Sequence, residues 1–252
     1  VLAVARELGL DTDQPESVND EPARERIAAA APDAVVVCAF GALIKEPLLS
    51  AHPMLNVHPS LLPRWRGAAP IERAIMAGDP RTGVCIMRLT AGLDSGPVCL
   101  AAEEPIAPRD TFGTLAGRLA ALGGALLVQA LDTSPPFHEQ DETGATYAEK
   151  ITAEDRMLDP SRPAEELERV VRALSEIGAA VTGVGANRSE RLGVWEATAR
   201  PRHAGDPEPG ALGLDGRVPM LGCAPGTLEL TTVQPAGRNR MPGDAYLRGL
   251  RS

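Results

Sequence analysis

The chain has 252 residues, of which 44% are hydrophobic and 23% charged, with a formal net charge of −9. This length suits two domains, and the composition is that of a folded protein rather than a disordered or disulfide-rich one. The longest apolar stretch, residues 116–131, is interrupted by glycines, Arg118 and Gln129, and it falls short of the ~20 residues of a membrane span, so we predict a buried helix in a cytoplasmic protein with no membrane partner.

The first 131 residues alternate between helical and strand-like patterns. Helices are predicted at 1–8, 22–31, 43–49, 70–77 and 111–131, and strands at 34–39, 54–58, 83–89 and 97–106. The run 34–39 is continuously apolar, as in a parallel strand that is buried on both faces. The alternation predicts an open α/β sheet, with an antiparallel pair where only residues 90–96 connect two strands.

The second half has a different pattern. Residues 132–146 are rich in Pro, Ser, Thr and acidic residues and are interpreted as a linker. After them we predict helices at 164–174 and 243–250, and strands at 180–184, 192–197, 211–214, 218–223 and 227–233. Five short strands within roughly 55 residues favour a small β-barrel of the kind that often binds nucleic acids. The predicted division is a catalytic domain 1–139, a linker 140–158 and a C-terminal domain 159–252.

Polar side chains gather where two predicted strands end. Asn56 and His58 lie at the carboxyl end of strand 54–58, on one face because strand side chains alternate. Asp94 follows a later strand, in the tight connection 92–96. Since the ligand crevice of an open α/β sheet lies beyond the carboxyl ends of its strands, we predict that the three side chains converge over one cleft.

These three groups suit acyl transfer to an amine. A histidine near its ordinary pKa can shuttle the amine proton, a carboxylate can orient it, and the Asn56 amide can donate to an oxygen that gains negative charge. Spacing does not decide whether His58 or Asp94 accepts the proton. Each residue alone also has a structural explanation, since Asn and Asp commonly satisfy backbone groups at strand ends and turns.

Four sequence segments carry a family resemblance. Residues 56–71 read NVHPSLLPRWRGAAPI and residues 92–97 read GLDSGP. Together they resemble the signature of the folate-dependent formyltransferases. The segments TYAEKI at 146–151 and QPAGRNRM at 234–241 resemble the junction and the C-terminal motif of the branch that acts on methionyl-tRNA. The resemblance therefore runs through both predicted domains and implies a Rossmann-like catalytic sheet followed by an OB-like barrel.

The resemblance implies a specific reaction. The formyl group of 10-formyltetrahydrofolate would pass to the α-amino group of methionyl-initiator tRNA, for translation initiation and without a metal. It implies catalytic roles for Asn56, His58 and Asp94. It also implies a folate-binding loop whose backbone and apolar side chains line the carrier pocket, made by Ser60, Leu61, Leu62 and Pro63.

The charge distribution bears on the tRNA partner. Residues 151–252 contain 13 Arg and 14 acidic residues, so the first 150 residues carry −8 of the net charge. An acidic catalytic half disfavours nonspecific binding of nucleic acid, and recognition should depend on localised arginines. Arg238 and Arg240, in the locally basic C-terminal segment, are the predicted tRNA contacts. We expect the protein to be a monomer.

Two other functions remain open at this level. One is a formyltransferase that acts on an amino sugar, or a hydrolase that releases formate, since both share the Asn, His and Asp arrangement. The other is an inactive RNA-binding fragment. The family domain begins with a βαβ portion and a basic loop that precede the segment matched here, so we interpret the sequence as truncated at its N-terminus. The scattered Cys38, Cys85, Cys99 and Cys223 are interpreted as buried reduced thiols.

Overall fold

A four-stranded sheet organises the first half of the chain in our computed structural model, which describes residues 2–184, 190–214 and 216–251. Val1, the first residue of the predicted helix 1–8, lies outside the described residues. The elements of this half are α1 (Leu2–Glu7), α2 (Glu21–Ala29), β1 (Val35–Cys38), α3 (Leu48–Ala51), β2 (Met54–His58), β3 (Arg66–Gly67), α4 (Pro70–Ala77), β4 (Arg81–Arg88), β5 (Val98–Pro105), α5 (Phe112–Thr133) and β6 (Tyr147–Ala148).

The order of strands in this sheet is β1-β2-β4-β5. The strands β1 and β2 are parallel, whereas β2–β4 and β4–β5 are antiparallel. The predicted α/β sheet and its antiparallel pair across residues 90–96 are confirmed. The helices α4 and α5 pack on β4, whose central residues Val84, Cys85, Ile86 and Met87 are no more than 1% exposed.

Two local predictions in this half are wrong. The helix predicted at 43–49 is only α3, because Asn19 holds the preceding backbone open: its Nδ2 donates to the Leu43 carbonyl at 2.9 Å, and the Lys45 N–H donates to its Oδ1 at 2.8 Å. The strand β1 is not buried on both faces, since its burial alternates and Val36 is 40% exposed. Among the described residues it pairs only with β2, so it lies at the sheet edge.

The long helix α5 begins where its sequence predicts. Thr111 is the N-cap, and its side chain accepts from the Thr114 N–H in a reciprocal capping box. The predicted buried helix is buried along one stripe against the sheet only, while Val128 is 58% exposed and Leu131 45% exposed. By length and composition alone, contrary to our expectation, these 22 residues could also cross a membrane.

The second half of the chain forms a mostly antiparallel sheet. Its elements are α6 (Ala164–Ala173), β7 (Ala179–Val184), β8 (Glu190–Arg200), β9 (Leu212–Gly213), β10 (Met220–Gly222), β11 (Thr227–Pro235), β12 (Met241–Pro242) and α7 (Gly243–Arg251). The order of strands is β7-β8-β11-β10-β9, and β12 pairs with β11. A separate hydrophobic core joins these strands to α6 and α7, including Leu167, Leu192, Leu228 and Leu247.

The two halves are joined by more than the chain itself. The helix α4 packs against α6, and Met76 contacts the cores of both halves. Arg73 on α4 makes a bidentate ion pair with Asp155, at 2.7 and 2.9 Å. In the intervening segment β6 pairs with β3, the strand that follows the predicted catalytic loop. This segment therefore lies against the edge of the candidate site.

Candidate active site

The loop that follows β2 folds back over the end of its own strand. The Ser60 hydroxyl, fully buried, donates to the Arg64 carbonyl at 2.7 Å. Arg64 forms a bidentate ion pair with Asp79, and the Trp65 indole N–H donates to the same carboxylate at 2.8 Å. Trp65 has a φ of 63°, so it turns the chain back toward the sheet. The loop is thereby fixed above His58.

His58 is enclosed by this loop. Its Nε2 lies 2.9 Å from the Trp65 carbonyl oxygen, and its Nδ1 lies 3.6 Å from Oδ2 of Asp94. A carbonyl oxygen only accepts hydrogen bonds, so Nε2 carries the ring proton and donates it. The nitrogen that is left free to take up a proton is then Nδ1, and it faces the carboxylate.

Burial determines the charge of His58, whose side chain is 4% exposed. Desolvation lowers the pKa of the imidazole below its ordinary value of 6.5, although the Asp94 charge and the Trp65 carbonyl raise it in part. The sequence alone favoured a histidine near its ordinary pKa, and the structure differs because the loop excludes water. Cys85, the cross-strand neighbour of His58, is uncharged, since burial raises the pKa of its thiol to about 11. His58 is therefore a neutral base at physiological pH.

Asp94 is presented by a strained connection between β4 and β5. Its φ is 45°, in the left-handed region that non-glycine residues rarely adopt. Its Oδ2 accepts from the Gly67 N–H at 2.8 Å. Gly96 is needed nearby because a Cβ there would lie 2.0 Å from the Arg88 carbonyl oxygen. The side chain of Asp94 is 14% exposed, so it is more accessible than that of His58.

Asn56 lies on β2, two residues before His58 and therefore on the same face of the sheet. It is partly buried, and it occupies the centre of the sheet between Val37 of β1 and Met87 of β4. Its side-chain amide makes no hydrogen bond to any described residue. The structure thus brings His58 and Asp94 into contact and places Asn56 about 7 Å away along the same strand face, with a free amide.

A polar network behind Asp94 was not found by sequence reasoning. Arg66, 2% exposed, donates through Nε and Nη2 to Oε1 of Gln140, at 3.0 and 2.8 Å, and pairs bidentately with Glu142. The Gln140 amide nitrogen donates to the carbonyls of Asp94 and Gly96, at 2.8 and 2.7 Å. The signal available was Arg66 itself, since an arginine next to a glycine turn in a buried loop requires partners from elsewhere in the chain.

The predicted folate loop lies beside two clefts. Leu62 and Pro63 line the larger, about 430 Å³, together with the β5 segment Val98–Ala101 and residues 138–141. Leu61 lines the other, about 210 Å³, with Trp65 and other residues of the loop and β4. The buried Ser60 points away from both and holds the loop instead. Leu62 and Pro63 are thus the parts of the loop that face an open cleft near Asp94.

The predicted tRNA contacts lie on the second half. Arg238 and Arg240 are exposed in the turn between β11 and β12. The Arg240 guanidinium stacks 3.1 Å from the centre of the Trp195 ring, and the Trp195 N–H donates to Gln234 at 2.9 Å. The cavity beside these arginines shares no lining residue with either cleft beside the loop after β2.

The cysteines differ in burial. Cys85 and Cys223 are buried as expected, Cys99 is partly buried, and Cys38 is exposed at the end of β1, so the expectation of burial is wrong for Cys38. All four are free thiols. Within residues 2–184, 190–214 and 216–251, no three His, Cys, Asp or Glu side chains are grouped so that they could hold a metal ion.

Comparison with known proteins identifies the class to which this fold and site belong. Residues 4–131 match the family model for formyl transferase, and residues 150–251 match that for the formyl transferase C-terminal domain. The chain belongs to the formyl transferase family, which confirms the resemblance of its motifs. It is 42% identical to the methionyl-tRNA formyltransferase of Dechloromonas aromatica (strain RCB), over 99% of this chain and 80% of that protein.

Solved structures agree on the fold. HypX from Aquifex aeolicus in complex with tetrahydrofolic acid superposes with a TM-score of 0.64 at 18% identity, covering 89% of this chain and 40% of that one. Methionyl-tRNA formyltransferase from Clostridium thermocellum gives a TM-score of 0.62 at 16% identity, covering 79% of this chain and 87% of that one. At these identities the likeness establishes the architecture, a Rossmann-like α/β domain followed by a second domain.

The burial and contacts of His58 predict both the pH at which its imidazole titrates and its tautomer. We expect its imidazole to titrate below 6.5 and to carry its proton on Nε2 when neutral, as read from ¹⁵N chemical shifts of the four histidines, with the signal assigned from a His58→Asn variant. Because Asp94 raises the pKa, Asp94→Asn should move the titration to still lower pH. Titration at or above 6.5, or an Nδ1–H tautomer, would contradict the geometry.

The lowered pKa of His58 also determines how this residue affects stability as the pH changes. Burial lowers the folded-state pKa of His58, so the unfolded chain takes up this proton first as the pH falls. Its contribution to stability is therefore complete above about 6.5 and is lost as the pH falls through the folded-state value.

Proposed function

We propose that this protein transfers the formyl group of 10-formyltetrahydrofolate to the α-amino group of methionyl-initiator tRNA, for translation initiation. The observation that carries the proposal is the neutral His58, whose free Nδ1 is directed at Asp94. The same strand, β2, also presents the unpartnered Asn56 amide. These are the groups needed to take a proton from an amine and to stabilise an oxyanion. The 42% identity to a methionyl-tRNA formyltransferase supports the choice of acceptor.

The proposed reaction uses no enzyme nucleophile. The amine nitrogen attacks the formyl carbon and forms the new C–N bond, while the formyl oxygen gains a negative charge that the Asn56 amide stabilises. The amine proton passes to the His58–Asp94 pair. The bond between the formyl carbon and the folate nitrogen then breaks, and the pair returns a proton to that nitrogen. The bond that forms and the bond that breaks both involve the formyl carbon, and the proton lost by the amine is replaced by the proton gained by the folate nitrogen.

The two members of the pair differ in access. The Asp94 side chain is 14% exposed and that of His58 is 4% exposed, so we place Asp94 nearest the amine and His58 behind it. Nδ1 of His58 then shares the proton across a 3.6 Å gap that shortens once a proton bridges it. Sequence spacing left the order of these two groups open, and accessibility supports Asp94 as the first acceptor.

The donor fits the cleft beside the loop 60–63. Leu62 and Pro63 give apolar walls, while the β5 segment Val98–Ala101 adds a strand edge with backbone groups for polar parts of the pterin. We assign Ser60 and Leu61 a supporting role, since Ser60 ties the loop to Arg64 and Leu61 packs beneath it against Gly83.

The acceptor tRNA is assigned to the second half of the chain. Arg238 and Arg240 lie beside a cavity of about 280 Å³ that Arg156, Arg191 and Trp195 line. Arg156 donates to the carbonyls of Gly178 and Ile177. The other three arginines form no ion pair within the described residues, so we assign them to phosphates. Such a local patch suits a polyanion that the acidic first half would otherwise repel.

We further infer that the second sheet curls into an OB-like barrel. The pairing of β8 with β11 shifts register between Leu230 and Val233, and bulges of this kind bend a sheet toward closure. We keep the division into a catalytic domain 1–139, a linker 140–158 and a C-terminal domain 159–252. We expect the protein to act in the cytoplasm, away from membranes, which cell fractionation tests. We expect it to be a monomer, which sedimentation tests.

Turnover tests the catalytic assignment. Asp94→Asn and Asn56→Ala should each lower kcat about 100-fold or more, because each removes a group that acts on charge or proton in the transition state. Gln129→Ala, at an exposed position on α5, is the control. Formyl transfer to methionyl-initiator tRNA, followed against a free amino sugar and against formate release, distinguishes the acceptors. Near-normal rates in both variants would refute the roles.

Salt dependence tests the tRNA surface. We expect the double change Arg238→Ala and Arg240→Ala to weaken tRNA binding and to lower the slope of log K against log salt by roughly one for each phosphate that is no longer bound. Folate binding should be unchanged, since the two surfaces are separate. Arg109→Ala, an exposed arginine before α5, is the matched control. An unchanged salt slope in the double variant would place the tRNA-binding surface elsewhere.

A further inference from the structure

The side chain of Gln140 makes an unusually complete set of contacts with the loop that carries Asp94. Its amide nitrogen has two hydrogens, and both are used: one is donated to the Asp94 carbonyl at 2.8 Å and the other to the Gly96 carbonyl at 2.7 Å. These carbonyls belong to the short turn that presents the Asp94 carboxylate. Gln140 itself comes from a distant part of the chain, 46 residues beyond Asp94.

Arg66 fixes the orientation of this amide. The guanidinium only donates and a carbonyl only accepts, so Oε1 of Gln140 must face Arg66 and Nε2 must face the turn. Arg66 donates to Oε1 twice and is held in place by its bidentate pair with Glu142. Arg66 is 2% exposed, so its bonds to Gln140 are shielded from water. The hydrogen bonds that lead from Glu142 through Arg66 and Gln140 to the Asp94 turn therefore fix which end of the Gln140 amide faces the turn.

The same segment holds Asp94 a second time. Gly67 follows Arg66 directly, and its N–H donates to the Asp94 carboxylate at 2.8 Å. Gly67 has a φ of 119°, and a Cβ at this position would lie 2.8 Å from the Ala148 carbonyl oxygen. Asp94 is thus held by two residues: the Gly67 N–H bonds its carboxylate, and the Gln140 amide bonds its backbone carbonyl. A non-glycine residue at a φ of 45° persists only when its surroundings determine it in this way.

We propose that Gln140 is a positioning residue for formyl transfer, which holds the Asp94 turn so that the carboxylate faces Nδ1 of His58. This inference rests on the proposed function for its kinetic consequences, but its structural consequence can be measured without any reaction. Gln140 makes no contact with the His58 ring or the Asp94 carboxylate, so its effect on this pair is exerted through the backbone of the Asp94 turn.

Two substitutions of Gln140 test the proposal. Gln140→Leu and Gln140→Met both remove every polar contact without adding a charge, and Met keeps the length of the side chain. The same changes at Gln129, which is exposed on α5, are the controls. Both Gln140 variants should lower kcat between about tenfold and 100-fold, because a misplacement of ~1 Å costs about that much. The KM for the folate donor does not report this role, because Gln140 also lines the cleft proposed for that donor.

The titration of His58 gives a readout that a general loss of stability would not move. The groups that face His58 are Asp94 from the β4–β5 turn, the Trp65 carbonyl from the loop after β2, and the neutral Cys85 from β4. Loss of Gln140 lets Asp94 leave Nδ1, so the His58 titration should move to lower pH, in the direction of Asp94→Asn. The Gln129 variants should titrate as the unchanged chain does.

The outcomes separate the two proposals. A lowered kcat together with the shifted His58 titration supports the positioning role. An unmoved titration overturns it, whether kcat falls or not, because Asp94 then stays in place without Gln140. If the unchanged chain transfers no formyl group, the proposed function fails while the titration still decides the role of Gln140. Thermal unfolding identifies a Gln140→Leu variant that does not fold, and the uncharged Gln140→Met then provides the comparison.

Discussion

The burial of one imidazole against one carboxylate is the constraint on which the rest of the site depends. Water is excluded from His58, so its neutral form is favoured, and the Trp65 carbonyl forces the ring proton onto Nε2. That choice leaves Nδ1 free toward Asp94. A base of this kind is usable at physiological pH only if the surrounding loop stays closed, and this explains why the loop after β2 is tied down by Asp79 at three points.

Strain in the site is offset by bonds from outside it. The backbone is left-handed at Trp65 and at Asp94, and each position is held by contacts with residues far away in sequence. The left-handed backbone of Trp65 is stabilised by the hydrogen bond that its N–H donates to the Thr146 hydroxyl. Residues 140–148 thereby act as a support for the catalytic loops rather than as a free connection, and they couple the site to the point where the second half of the chain begins.

The two halves divide the physical tasks. The sheet of the first half supplies rigid strand ends for the His58–Asp94 pair, while the second half supplies a local excess of positive charge on a protein whose net charge is −9. A polyanionic acceptor is then attracted to one surface only. The packing of α4 on α6 and the Arg73–Asp155 pair join the two halves.

The sequence by itself determined most of the elements and the candidate reacting groups. Periodicity and caps predicted most helices and strands, because these depend on neighbours within a few residues, and the motif at 56–71 identified Asn56 and His58 on one strand face. The sequence-based prediction failed at residues 43–49, because Asn19, far away in the sequence, bonds the backbone there. It also failed at β1, because the exposure of this strand depends on its place in the sheet.

Only the tertiary structure decided how the reacting groups are tuned. The contact of His58 with Asp94 joins residues 36 positions apart, and the Gln140 contact with the same turn spans 46. No local pattern encodes such pairs, since a Gln in a polar stretch looks like any solvated residue until the chain folds. Desolvation likewise has no signature in the sequence, so the lowered pKa of His58 became evident only once the loop above it was in place.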